Sequence, residues 1–194
     1  MKKILLATVL IFCFQCMFSN AGQAQTASQE EPAQFSLPIW PEKVWRSEYS
    51  NYRTDVHNCC DWLLYAAAGF NLPKREECTN FLIRWIEGAP DVQLFLAEGI
   101  VDYENEYLFV AYLAGWTRHQ LDNPDAGTLV CANVAVNEML AYYDKNRAAL
   151  GKSKVAEKLL KLRSQNQLSP YIKKCLVGDD QPRAKERKRG RKRS

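Results

Sequence analysis

From Asp55 onward the apolar residues of this chain recur at helical spacing. Val56, Cys59, Cys60, Leu63, Leu64 and Ala67 form one stripe over three turns. Asn51 or Thr54 stands where a cap is needed, and the run from Gly69 to Pro73 ends the helix. A second helix is predicted just after Pro73, with Glu76 and Glu77 suiting the positive end of its dipole. Its stripe is Cys78, Phe81, Leu82, Trp85 and Ile86, stopped by Gly88 and Pro90. So short a connection makes the two helices an antiparallel or steeply crossed pair.

Between Asp91 and Glu98, Val92, Leu94 and Leu96 alternate as in a strand. No second strand is available to pair with it, and a lone strand leaves its backbone groups unsatisfied. The segment is therefore expected as a loop or a single helical turn. Asp102 or Asn105 opens a third helix running to about Leu121. Its middle (Leu108, Phe109, Ala111, Tyr112, Leu113, Gly115, Trp116) has almost no polar face, which predicts a buried central helix. After Asn123-Pro124-Asp125, a fourth helix runs from about Ala126 to Leu150 and ends at Gly151. It presents Leu129, Ala132, Val136, Leu140 and Tyr143 on one side. Ser153 caps a fifth helix carrying Val155, Leu159, Leu160 and Leu162. Ser169-Pro170 reads as a cap and a helix-starting proline for a short sixth with Ile172, Cys175 and Leu176. The pattern predicts an all-α domain over residues 51–178, an irregular bundle of five to six helices.

The ends of the chain differ from this body. Lys2 and Lys3 precede an apolar stretch from Ile4 to Phe14, and Gly22-Gln23-Ala24 fits the small-x-small rule for signal peptidase. Residues 1–24 thus read as a signal peptide. Their apolar part would span roughly 16 Å as a helix, about half a bilayer. Lipid attachment at Cys13 or Cys16 is the alternative, but Phe12 and Gln15 are not the small residues that a lipobox takes before its cysteine. The chain is expected to be exported, periplasmic or secreted, with no transmembrane segment in its mature part. Residues 25–50 read as a Pro-punctuated linker whose Trp40 and Trp45 dock on the body.

Charge changes the picture at the other end. Of the net +4, the stretch from Gln181 to Ser194 carries +7 and Lys2 and Lys3 carry +2, so the remainder is −5. The basic character belongs to the tail, residues 179–194, and not to a folded face. Arg183, Lys185, Arg187, Lys188, Arg189, Arg191, Lys192 and Arg193 are candidates for electrostatic contact with an anionic surface or polymer. No aromatic residue interleaves them, so they carry no base-reading device. A solvated, unstructured tail is the plainer reading.

Cys60-Asp61-Trp62, the run Asn80-Phe81-Leu82-Ile83-Arg84-Trp85-Ile86-Glu87-Gly88-Ala89-Pro90-Asp91, the helix ending in Trp116 and Ser169-Pro170-Tyr171-Ile172 together resemble a group of uncharacterised secreted all-helical proteins of bacteria. The likeness covers roughly residues 55–176. It implies a compact exported all-α domain, and it carries over neither an activity nor a catalytic residue.

Five cysteines follow the signal segment: Cys59, Cys60, Cys78, Cys131 and Cys175. In an exported protein they are disulfide candidates, and the odd number leaves at least one free or intermolecular thiol. Cys59 and Cys60 cannot readily bond each other within a helix. A bridge from one of them to Cys78 across the first hairpin is a candidate, but Cys60 and Cys78 sit at axial positions roughly 9 Å apart in an antiparallel pair, too far without a crossing angle. Cys131 to Cys175 is the second candidate bridge.

His57 and His119 raise a Cys/His hydrolase as the alternative function. Such chemistry needs a thiolate, an imidazole in hydrogen-bond reach and an orienting group. His57 lies two positions before Cys59, about 200° away around the helix, and points elsewhere. Asp102, Glu104 and Glu106 lack the glycine turn and late bidentate glutamate of a calcium loop, and read as a solvated helix start. The chain has no G-x-S-x-G, P-loop, G-x-G-x-x-G or H-E-x-x-H motif. No catalytic, cofactor-binding or metal-binding residue is assigned. The reading is an exported, non-enzymatic module that binds a protein partner, with an inhibitor or immunity-like role by analogy. A cryptic hydrolase using Cys/His or paired carboxylates is its alternative.

Overall fold

The computed structural model of the protein describes residues 35–179. Residues 1–24, read above as a signal peptide, the first part of the linker and the basic residues from Arg183 to Arg193 lie outside the described residues. Within them the chain is all-helical, with six α-helices and no strand: α1 (Arg53–Tyr65), α2 (Leu72–Gly88), α3 (Glu106–Asp122), α4 (Thr128–Leu150), α5 (Lys154–Ser164) and α6 (Leu168–Asp179). A 3-10 helix, Arg46–Tyr52, leads into α1.

This 3-10 helix replaces the expected cap. Tyr52 precedes α1 without a side-chain cap, because the preceding turns already orient the chain. Val56, Cys59, Cys60, Leu63 and Leu64 are buried, while Ala67 falls beyond the end of α1 and is only half-buried. Asn71 starts α2 from the left-handed region at φ 41°, a conformation asparagine tolerates, and its side chain accepts from the Lys74 amide at 3.2 Å. Pro73 therefore lies inside the first turn, and Glu76 and Glu77 come after it. Cys78, Phe81, Leu82 and Trp85 are buried along α2.

The segment after α2 is a loop, held by side chains of α3. Tyr112 donates to the Phe95 carbonyl at 2.8 Å, and Gln120 accepts from the Gln93 amide at 3.2 Å. Asn105 caps α3 through the Leu108 amide. Every residue from Val110 to Thr117 is buried, and α3 packs against α1, α2 and α4 as the central helix of the bundle. Gly115 permits its close approach to α4: a Cβ there would lie 2.8 Å from Cβ of Glu138 and 3.3 Å from Cα of Ala135.

Ser153 caps α5 by accepting from the Ala156 amide at 2.9 Å. The sixth helix begins two residues earlier than its Ser-Pro pair suggests. Leu168 is already helical, and Ser169 and Pro170 occupy the first turn, where the missing proline amide costs nothing. Ahead of α1, Trp40 packs its ring against Tyr49, Tyr52 and Phe81, with centroids 5.0–6.0 Å away. Trp45 does not dock: it is 61% exposed, with the Lys43 ammonium 4.1 Å above its ring.

Candidate functional site

The five described cysteines are all free thiols, four of them buried and Cys175 partly exposed. The neighbour that faces Cys78 of α2 is Cys59, not Cys60, and the two thiols share a hydrogen bond. That bond and burial hold the Cys59 thiol well above its ordinary pKa. The same bond, with help from the Lys74 charge, lowers Cys78. Cys60 turns about 100° further around α1. Burial and the Asp61 charge push it up, against the pull of Arg118. Cys131 donates to the Ala126 carbonyl at 3.6 Å within its own helix start. Cys175 lies instead beside Gly99, with Sγ 3.8 Å from the position of a Cβ there.

Neither histidine bonds a cysteine among the described residues. His57 spans two carboxylates, with Nδ1 3.2 Å from Asp61 and Nε2 3.2 Å from Asp122. His119 lies at the end of α3 beside the Asn123 amide, 3.3 Å from Nδ1, and its Nε2 is buried without a partner. No trio of His, Cys, Asp or Glu side chains among the described residues is arranged to hold a metal ion.

The carboxylates around His57 belong to a charge network that ties three helices. Arg118 of α3 meets Asp61 of α1 at 2.9 Å and also Glu138 of α4. Burial works against the Arg118 charge, but the bond to Asp61 and the charges of Glu138 and Asp61 outweigh it and raise its pKa. Arg53 similarly joins Asp91 at 3.4 Å and the Leu121 carbonyl at 3.1 Å. Two arginines and one imidazole here face four carboxylates, so the network is acidic overall.

The acidic trio around the start of α3 divides. Asp102, expected in solvent, is only 5% exposed and accepts from the Ser153 hydroxyl at 2.5 Å and the Glu104 amide at 3.1 Å. It orients the residue that caps α5. Glu104 stays exposed. Glu106 lies on the first turn of α3, at a cavity between α2 and α3.

That cavity contains the side chain that sequence reasoning missed. Arg75 is 8% exposed and sits among the rings of Trp62, Tyr107 and Tyr142, 5.0–5.7 Å from their centroids. Its Nη2 donates to the carbonyls of Ala66 and Ala67 at 3.0 and 3.3 Å, beyond the end of α1, where the helix dipole favours a cation. Its Nε is buried with no acceptor. No carboxylate pairs with it among the described residues. A signal was present: Arg75 lies three residues before Cys78 and seven before Leu82, a charged residue on an apolar stripe.

Beside Arg75, the turn joining α1 to α2 exposes apolar surface. Tyr65 is 62% exposed, Leu72 55% and Phe70 39%, and Phe70 leans against the ring of Trp62 at 6.3 Å. Leu72 also lines the cavity, which encloses about 370 Å³. Comparison with protein-family models, curated proteins and solved structures finds no match to this chain.

Proposed function

We propose that this protein is an exported, non-enzymatic helical module that binds a protein partner through the α1–α2 turn. The observation that carries the reading is the exposure of Tyr65, Phe70 and Leu72 next to a caged arginine. Aromatic and arginine side chains dominate the energetics of protein interfaces. An inhibitor or immunity-like role is the subclass suggested by analogy. Export is supported by the signal-like segment 1–24 and by the resemblance to secreted helical proteins.

A disulfide staple belongs to the same reading, and the meeting of Cys59 with Cys78 supports it. In an oxidising compartment, before packing buries both thiols, one of the two thiolates attacks a disulfide donor and the other then displaces the donor from the mixed disulfide. The donor leaves as two thiols and the protein gains one S–S bond. The basic tail supplies a separate, electrostatic attachment to anionic surfaces.

The test is capture from a periplasmic extract on the immobilised protein, with mass-spectrometric identification, followed by binding of the purified partner. The expected result is one partner whose purified form binds the protein and is released by Phe70→Asp and Leu72→Asp. Equal binding by the wild type and both variants, at unchanged melting temperature, removes the turn from the interface and overturns the proposal.

A further inference from the structure

The cavity between α2 and α3 carries three charged side chains that the fold leaves without ion-pair partners. Arg75 forms part of its wall, and Glu76 and Glu106 stand exposed around it. None of the three takes part in an ion pair among the described residues. This is unusual for Arg75, because a buried charge is normally paired or fully hydrogen-bonded. Two carbonyl groups and three aromatic rings stabilise the guanidinium, but its Nε–H has no acceptor.

The guanidinium and the two carboxylates share one cavity yet stay more than ion-pairing distance apart. They therefore present both signs of charge to whatever enters. A ligand with one negative group would satisfy Arg75 and meet repulsion from the glutamates; a simple cation would do the reverse. Thr79 and Asn80 add neutral hydrogen-bonding groups, and the Tyr107 ring adds apolar surface. A volume of about 370 Å³ lies in the range of small-ligand sites and exceeds the need of a single ion.

We propose that the α2–α3 cavity binds a small zwitterion of the amino-acid class, its carboxylate directed to Arg75 and its ammonium to Glu76 and Glu106. The planar guanidinium suits a carboxylate. The site adjoins the exposed turn, since Leu72 lines the cavity, but its ligand contacts are Arg75, Glu76 and Glu106 and not the turn's aromatic rings.

Isothermal titration of the protein as isolated from cells tests this, using free glycine, leucine, lysine and glutamate, with acetate and methylammonium as single-charge halves. At least one amino acid is expected to bind with Kd below about 1 mM and at least about tenfold more tightly than either half. The double variant Glu76→Gln/Glu106→Gln, both exposed positions, should weaken that binding at least about fivefold while leaving the melting temperature unchanged. Arg75→Lys should weaken it too; because that residue is buried, its reading counts only at an unchanged melting temperature. Failure of all four amino acids to bind by 10 mM (a limit on the order of weak solute contact) would overturn the proposal. So would acetate binding as well as any of them, or full affinity in the double glutamine variant.

Discussion

Replacing Trp85 by alanine probes the joint between the 3-10 helix and the bundle. The side chain is 1% exposed on the inner face of α2, and its Nε1 donates to the Tyr49 carbonyl at 2.9 Å. A buried tryptophan removes roughly 150–250 Å² from water, and at about 25 cal/mol per Å² this amounts to about 4–6 kcal/mol. Measured losses for tryptophan-to-alanine core changes run about 3–5 kcal/mol. The lost indole donor adds about 1 kcal/mol at the Tyr49 carbonyl. The sum, about 4–6 kcal/mol, is a large share of the roughly 5–15 kcal/mol that stabilises a domain. Urea titration followed by far-ultraviolet circular dichroism gives the value. Trp85→Phe keeps most of the apolar area and lacks the donor, so it should cost only about 1–2 kcal/mol. If Trp85→Ala loses less than about 1 kcal/mol, the packing of α2 described above is wrong.

Gly115→Ala should lower stability by about 1–2 kcal/mol, because overpacking against α4 outweighs the gain of about 1 kcal/mol in helix propensity; a raised melting temperature would contradict the tight α3–α4 contact. Alkylation of the unreduced, denatured protein with iodoacetamide should label three of the five cysteines after Ala24, with Cys59 and Cys78 recovered as one linked peptide pair; five labelled residues would remove the staple. Truncation after Gly178 should leave stability within about 0.5 kcal/mol, since residues 181–194 hold no apolar group beyond Pro182 and Ala184 to offset the cost of ordering them. The same truncation should abolish salt-sensitive retention on heparin, and equal retention of the two forms would exclude tail attachment.

Most of the helical architecture can be read from the order of residues. Period and punctuation are local properties. The stripes of α1 and α2, the all-apolar middle of α3 and the caps at Asn105 and Ser153 depend on neighbours within a turn or two. The weaker readings fall where tertiary contacts decide. Asp102 looks like any acidic residue before a helix until α5 brings Ser153 to it from the far side of α4. Both tryptophans of the linker look apolar enough to dock, yet only Trp40 finds a ring cluster to join.

The cysteines and Arg75 show the same division at the candidate sites. Sequence alone determined that the five cysteines lie on helices and that His57 points away from the Cys59 stripe. It could not decide whether Cys59 or Cys60 faces Cys78, because adjacent helical positions differ by about 100° and only the packing of α1 on α2 selects between them. Arg75 was visible as a charge on an apolar stripe. Its cage of Trp62, Tyr107 and Tyr142 draws one ring from each of three other helices, α1, α3 and α4, far apart in the chain. Local periodicity is written in the sequence, whereas the meeting of distant side chains is settled only when the helices pack.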